Sequence, residues 1–104
     1  MIRIRKISGK SMLPYLKPGD IAIFRKRSLY NLGDVVLISH NNLDKVKRIT
    51  NFNKDKYFVV GDNLQSSTDS RTFGPINKSD IIGKIIWPLN NKKEYHERLS
   101  NIKT

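Results

Sequence analysis

The sequence predicts a single, mostly β domain of about six short strands. Its 104 residues allow one domain with a modest core and leave no room for a second domain of ordinary size. Hydrophobic residues make up 38% of the chain, which favours a packed globule over a disordered polypeptide. Short segments rich in Ile and Val are separated by Gly, Asn, Asp and Pro, and this spacing is typical of β-strands joined by turns.

Six segments have the apolar content and length of strands. They are residues 2–7, 21–25, 34–39, 45–50, 57–60 and 83–87. A polar stretch at 61–74 is too long for a simple turn, and long loops on small domains often hold function. Residues 1–90 therefore form the predicted domain. Residues 91–104 are a basic tail that we expect to be helical or disordered, since Tyr95, Leu99 and Ile102 share one helical face.

Composition excludes several chemistries. The chain has no cysteine, so disulfides, thiolate catalysis and cysteine-based zinc sites are ruled out, and with two histidines we expect no metal site and no cofactor. The net charge of +11 attracts nucleic acid, anionic membranes or acidic polypeptides. No ribonucleoprotein motif or helix-turn-helix pattern accompanies the basic clusters, which argues against nucleic acid and favours a solvated basic surface.

The apolar segments are all much shorter than the roughly 20 residues that span a bilayer. The N-terminal residues MIRIRKISGK are basic but have no apolar centre, unlike a secretory signal. We therefore expect no integral membrane anchor and a cytoplasmic location. Peripheral attachment of the basic surface to anionic lipid is the remaining route to a membrane.

Three segments stand out for chemistry: Ser8–Pro14 (SGKSMLP), Lys45–Arg48 (KVKR) and Gly61–Gly74 (GDNLQSSTDSRTFG). In order and content they resemble the signal peptidase I family, whose members carry a nucleophilic serine in the first segment and a base lysine in a later Lys-Arg pair. The resemblance runs from Ile7 to Pro88. It implies a serine endopeptidase of signal-peptidase/LexA-like β fold, with Ser11 as nucleophile and Lys47 as general base.

The chemistry of a serine-lysine pair agrees with this resemblance. A serine hydroxyl is a poor nucleophile until a neighbouring base removes its proton, and lysine replaces histidine in some hydrolases. The lysine must be largely uncharged near neutral pH, which requires burial among apolar side chains. On an alternating strand Lys47 shares a face with Ile49, so the strand prediction gives it an apolar neighbour.

The resemblance also implies an oxyanion hole, to which the backbone N–H of Ser11 would contribute. Some relatives have a serine two positions before the nucleophile, where this chain has Gly9. A side-chain donor is therefore missing at that position, and Ser8 is the candidate substitute.

The third segment carries supporting roles in the family. By resemblance, Ser67 hydrogen-bonds the lysine amine and orients it, while Asp69 and Arg71 form a bidentate ion pair that holds the segment together. We expect Asp62 and Asn63 to organise the turn through hydrogen bonds from side chain to backbone.

Met12, Leu16 and Val46 match positions that line the primary specificity pocket of relatives, with core packing as the alternative for each. The expected partner is a precursor polypeptide bound in extended conformation between strand edges. Tyr15 stands where the family usually has threonine.

The compact form of the chain resembles one branch of the family. Only 13 residues separate Lys47 from Gly61, and the run STDSRTFGP at 67–75 looks like the nickel-type superoxide dismutase maturation proteases. The resemblance implies removal of an N-terminal presequence from a nickel superoxide dismutase precursor. The alternatives are a general signal peptidase acting on secreted preproteins, a LexA-like autoprotease, and a basic nucleic-acid-binding module. A LexA-like repressor needs a DNA-binding domain and an Ala-Gly cleavage site, neither of which occurs here.

Overall fold

The computed structural model describes residues 1–89, which form one antiparallel sheet of seven strands. The strands are β1 (Ile2–Lys6), β2 (Ile21–Arg25), β3 (Val35–His40), β4 (Leu43–Asn53), β5 (Lys56–Val60), β6 (Ile76–Asn77) and β7 (Ile81–Trp87). A single helical turn, α1, covers Ser70–Phe73, and two short 3-10 turns lie at Leu64–Ser66 and Lys78–Asp80. The predicted mostly β class is confirmed.

Most strand boundaries lie within one or two residues of the prediction, and the two largest differences are in β4 and β6. β4 runs for 11 residues because β3 pairs along its first half and β5 along its second, so its polar ends stay in the ladder. β6 is a two-residue strand with no alternation to reveal it. The predicted tail at 91–104 lies outside the described residues.

The strand order is β1-β2-β7-β3-β4-β5-β6. β1 and β4 are therefore separated by three strands, yet Arg5 on β1 makes an ion pair with Asp44 on β4. The contact shows that the sheet curls until the end of β1 faces the start of β4. The space between these two strands is the cleft described below.

The core has two apolar clusters, one on each side of β3. Val35 and Leu37 belong to the first cluster, whereas Val36 and Ile38 belong to the second. A strand that is covered on both faces is apolar without alternation, which explains the run VVLI. β3 is thus a rigid support for β4, its hydrogen-bonded neighbour, which carries Lys47.

The outer face of β1 and β2 is apolar and exposed. Ile2 and Ile4 are 49% and 60% accessible, while the alternate residues Arg3 and Arg5 are half-buried, so the strand shows its apolar face to solvent. In the register of the sheet Ile4 lies opposite Ile23, and Ile23 lies opposite Trp87. We call this set the apolar stripe; its members are Ile2, Ile4, Ile21, Ile23 and Trp87.

The part of the chain that the structure describes contains no helix of the length and apolar content needed to cross a bilayer.

Candidate active site

A cleft of about 370 Å³ opens between the end of β1, the loop that follows it, the start of β4 and the loop after β5. The residues that matter for chemistry on its surface are Ser11, Met12, Leu37, Val46, Lys47 and Thr68. The structure therefore brings the predicted nucleophile and the predicted base to one cleft, although they are far apart in the sequence.

Lys47 is buried on β4, with 4% of its surface accessible. Burial lowers the pKa of its amine below the ordinary lysine value, because a desolvated ammonium loses its hydration. The Asp69 carboxylate opposes this shift in pKa, while the positive charges of Lys45 and Arg71 add to it. The amine consequently gives up its proton more readily than a surface lysine.

Ser67 fixes the direction of the lysine amine. Lys47 Nζ donates to Ser67 Oγ at 2.9 Å, and the Ser67 hydroxyl donates in turn to Asp69 Oδ2 at 2.7 Å. Because a hydroxyl has one proton and Asp69 receives it, Ser67 can only accept from the lysine. In the neutral amine the lone pair is then left to point away from Ser67.

Asp69 is the fixed centre of the third segment. Its fully buried carboxylate accepts from Arg71 Nε at 2.9 Å, from Arg71 Nη2 at 3.0 Å and from the backbone N–H of Gly61 at 3.0 Å. Burial by itself would raise the pKa of Asp69, but the hydrogen bonds from Arg71, Ser67 and Gly61 outweigh burial and lower that pKa. Asp69 therefore stays ionised and holds Ser67 in place. The predicted partners Asp69 and Arg71 lie together in bidentate geometry.

Ser11 lies half-buried in the loop between β1 and β2. The third segment holds this loop: the backbone N–H of Asn63 donates to the Ser11 carbonyl at 2.8 Å, and Asn63 Nδ2 donates to the Lys10 carbonyl at 3.1 Å. Within residues 1–89 the Ser11 N–H donates to no acceptor, so it is available to a ligand. Ser8 borders the cleft, whereas Gly9 does not.

No hydrogen bond joins the Ser11 hydroxyl to the Lys47 amine within residues 1–89; the lysine donates to Ser67 instead. Catalytic hydrogen bonds are often long in unliganded sites and shorten when substrate binds. A rotation of the Ser11 side chain is a small motion compared with moving the buried lysine. The arrangement thus holds the Lys47 amine in place through Ser67, while the Ser11 hydroxyl has no such hydrogen bond among the described residues.

Gly61 sets the spacing between the two loops. A Cβ at this position would lie 2.6 Å from Ser67 Cβ and 2.7 Å from the Ser11 carbonyl oxygen, closer than real contacts allow. Only glycine lets Ser67 and the Ser11 backbone approach each other this closely.

We expect Gly61→Ala to separate Ser11 from Lys47 and to lower both stability and activity. Overpacking of this kind costs about 1 to 3 kcal/mol, because the neighbouring backbone must move. Thermal unfolding and cleavage rates measure the two effects. Gly19→Ala is the matched control: its φ of +94° strains alanine, but a Cβ there meets no atom within 4 Å, so stability alone should fall. Equal activity losses in the two variants would contradict the spacing role.

The sequence prediction missed a buried ion pair beside the site. Arg48 Nε and Nη2 donate to the two oxygens of Asp62, each at 2.8 Å, and Arg48 Nη1 donates to the Gly33 carbonyl at 2.8 Å. The prediction for Asp62 named backbone partners and overlooked this arginine. The Arg48 guanidinium also lies over the Tyr15 ring, 5.6 Å from its centroid. The alternation that puts Lys47 on one face puts Arg48 on the other, but no local pattern names Asp62 as its partner.

The predicted substrate pocket is only partly present. Met12 and Val46 border the cleft, although Met12 is itself buried in the first core cluster. Leu16 is fully buried in that cluster and lies outside the cleft lining. Core packing was the stated alternative for Leu16, and its burial in this cluster favours that alternative. Tyr15 also packs against that cluster, and burial raises its pKa to about 12, so its hydroxyl stays protonated.

His40 stacks on Phe73 with 4.0 Å between ring centroids and does not border the cleft. Residues 1–89 contain no group of three or more histidine, aspartate and glutamate side chains placed to hold a metal ion.

The pH dependence of cleavage should follow the ionisation of the Lys47 amine. Since the base form is the neutral amine and its pKa is lowered, kcat/KM should rise with pH through that lowered pKa and level off before the ordinary lysine value of 10.5. Ser67→Ala removes the acceptor of one hydrogen bond from the Lys47 amine, so we expect kcat to fall by about tenfold and the midpoint of the pH profile to move. Rates measured from pH 5 to 11 provide the test. A midpoint at or above 10.5 would contradict a buried base.

The fold and the cleft together define a class: a small curled β-sheet protein that pairs a serine loop with a buried, serine-oriented lysine. Comparison with known proteins agrees with this class. Residues 41–90 match the family described as signal peptidase, peptidase S26. The chain is 33% identical over 99 residues to signal peptidase IB of Staphylococcus aureus, covering 73% of this chain and 52% of the relative.

It is also 32% identical over 114 aligned positions to the mitochondrial inner membrane protease subunit 1 of Homo sapiens, covering 81% of this chain and 69% of the relative. The chain belongs to the signal peptidase family, peptidase S26. It spans about half the length of the staphylococcal relatives that it matches.

Proposed function

We propose that this chain is a serine endopeptidase that uses Ser11 and Lys47 to remove an N-terminal presequence from a precursor protein. The observation that carries the proposal is the buried amine of Lys47, lowered in pKa and held by Ser67 on the same cleft as Ser11. A desolvated lysine beside a serine hydroxyl provides the base that acyl transfer requires.

The proposed reaction uses these groups in two steps, acylation and hydrolysis. The neutral Lys47 amine accepts the Ser11 proton as Ser11 Oγ attacks the substrate carbonyl carbon, and the Ser11 N–H donates to the oxyanion that forms. The resulting Lys47 ammonium then protonates the leaving amine as the peptide bond breaks. A water molecule, deprotonated by the same amine, attacks the acyl-enzyme and releases the carboxylate, and Ser11 recovers its proton.

The cleft favours an extended substrate with a small side chain next to the bond. Among the described residues β1 is an edge strand of the sheet, and an extended peptide can lie between β1 and β4. Val46, which is half-buried, borders the cleft and presents apolar surface to that side chain, while the buried Met12 lies beneath the same part of the cleft.

For the substrate we propose a nickel superoxide dismutase precursor, on the basis of the STDSRTFGP run that ends at Pro75. The test incubates the pure protein with that precursor and with a preprotein carrying an Ala-x-Ala site, and reads the new N-termini by mass spectrometry. The Ser11→Ala variant is the control for contaminating protease. Cleavage of the first precursor alone supports this substrate, and cleavage of the preprotein alone excludes it.

A second candidate, a general signal peptidase working at a membrane surface, is favoured by the apolar stripe. Lys6 lies opposite Ile21 and Arg25 lies opposite Ile2, so cations flank the exposed isoleucines on the same face. Exposed apolar surface with flanking cations suits an anionic bilayer. Co-sedimentation with vesicles containing anionic lipid should exceed that with neutral vesicles and should fall in Ile4→Ser, whose side chain is 60% accessible. Equal binding by the two proteins would remove the support from this candidate.

A further inference from the structure

We propose that Arg5 forms a subsite that prefers an acidic substrate side chain, about three residues from the bond that is cut. The inference rests on the proposed function, because it needs a peptide lying in the cleft. It concerns the end of the cleft away from Ser11, where the lining changes from apolar residues to the charged residues Arg5 and Asp44.

The first observation is the ion pair that crosses the cleft. Arg5 Nε and Nη2 both donate to Asp44 Oδ2, at 3.0 and 2.8 Å, and they join strands that are not neighbours in the sheet. Both side chains line the cleft and each is 37% accessible, so a bound peptide can touch them. An exposed ion pair of this kind adds little to the stability of the fold. Recognition of a substrate side chain is therefore a role that Arg5 can have.

The second observation is the unused hydrogen-bonding capacity of the guanidinium. An arginine side chain has five N–H bonds. Among the residues that the structure describes, Arg5 uses one on Nε and one on Nη2 for Asp44, and one on Nη1 for the Ile4 carbonyl. One N–H remains on each of the two terminal nitrogens, and a planar guanidinium presents such N–H groups to a carboxylate as a fork.

The third observation is the charge around this end of the cleft. Arg5, Lys6 and Lys45 border this end of the cleft together with one acidic residue, Asp44. Of these cations Arg5 faces the cleft, whereas Lys6 shares the outer face of β1 with the apolar stripe and Lys45 Nζ lies over the Phe73 ring. Asp44 repels an acidic ligand, but the cations outnumber it and two of its contacts already come from Arg5. The local field therefore favours a negative side chain over a neutral one and disfavours a positive one.

The distance along β4 places the subsite. Asp44 precedes Lys47 by three residues on the same strand, which is about 10 Å at 3.3 Å per residue. An extended peptide lying beside β4 advances at the same rate, so the side chain that reaches Arg5 is about three residues from the bond held at Ser11. Side chains nearer the bond meet the apolar wall of Val46 and Leu37 instead.

The experiment scans one aspartate through a fluorescein-labelled ten-residue peptide of alanine and serine with an Ala-Ser-Ala cut site. Binding is measured on the Ser11→Ala protein, and cleavage on the unchanged protein. We expect affinity to rise about fivefold when aspartate stands about three residues from the bond, with asparagine at that position giving no gain. Since binding does not require chemistry, a peptide that binds with this preference but is not cut separates the subsite from the proposed function.

Arg5→Gln in the Ser11→Ala background should remove the preference for aspartate over asparagine, and Arg5→Lys should retain part of it, because lysine keeps the charge and loses the fork. Circular dichroism checks that both variants fold. A flat scan, a gain at every position alike, a peak next to the bond, or an aspartate preference that survives in Arg5→Gln would overturn the proposal.

Discussion

Ser11→Ala and Lys47→Ala are each expected to lower kcat by at least about a thousandfold while the protein stays folded. In the proposed mechanism the first variant removes the oxygen that forms the acyl-enzyme, and the second removes the amine that activates that oxygen. Lys47→Arg should be as inactive as Lys47→Ala, because a guanidinium does not lose its proton at any pH at which the protein is folded. Single-turnover cleavage of the processed precursor, followed by mass spectrometry, measures the loss.

The double variant gives an internal check on this pair. If the two residues act as one unit, removing both costs about as much as removing either, so the effects should be far from additive. Lys26→Ala and Ser28→Ala, which change the same residue types at exposed positions after β2, are the matched controls and should leave cleavage unchanged. If Lys47→Ala cleaved the precursor at the rate of the unchanged protein, Lys47 would not be the general base, whatever the result for the Ser11 variant.

The alternating pattern of β4 predicted the environment of Lys47 more closely than it predicted the rest of the site. The pattern gives Lys47 the same face as Ile49, and both are buried in the structure. Period-2 alternation states which residues share a face, since the pleat fixes it. The pattern does not say which residues of other segments pack against that face. The contact of Ser67 with Lys47 was therefore predicted from the resemblance of the third segment to a family and not from the strand pattern.

Two other positions show where local pattern fails. On β1 the pattern IRIRK suggests that the isoleucines face the core, yet Ile2 and Ile4 face solvent and the arginines between them are half-buried. The curl of the sheet decides this orientation, because it turns Arg5 toward Asp44 on a distant strand. Leu16 was assigned to the substrate pocket because it matches a pocket-lining position of relatives, with core packing as the alternative, and the turn that follows Ser11 carries it into the core. Both outcomes depend on tertiary contacts that no short segment contains.

The second large effect concerns stability, and it comes from the buried pair of Arg48 and Asp62. Their side chains are 0% and 2% accessible, so Arg48→Ala leaves the Asp62 carboxylate desolvated and without its two bonds from the arginine. Breaking a buried pair by removing one partner costs about 3 to 5 kcal/mol. In a domain of this size such a loss lowers Tm by about 15 °C or more, and it is a large part of the whole free energy of unfolding.

Thermal unfolding of Arg5→Gln provides the matched control, because it breaks an ion pair of the same two residue types whose side chains are each 37% accessible. The loss there should be below about 1 kcal/mol. The double variant Arg48→Met, Asp62→Leu removes both charges and should recover most of the stability lost in Arg48→Ala, since the cost comes from a desolvated carboxylate that has lost its two bonds from the arginine. If Arg48→Ala and Arg5→Gln lost equal stability, or if the double variant were no more stable than Arg48→Ala, desolvation of Asp62 would not be the cause. The role of the pair would then be to hold residues 61–63 against β4 through the Arg48–Asp62 hydrogen bonds. In that case Arg48→Ala should lower cleavage, because the contact of Asn63 with the Ser11 loop would loosen.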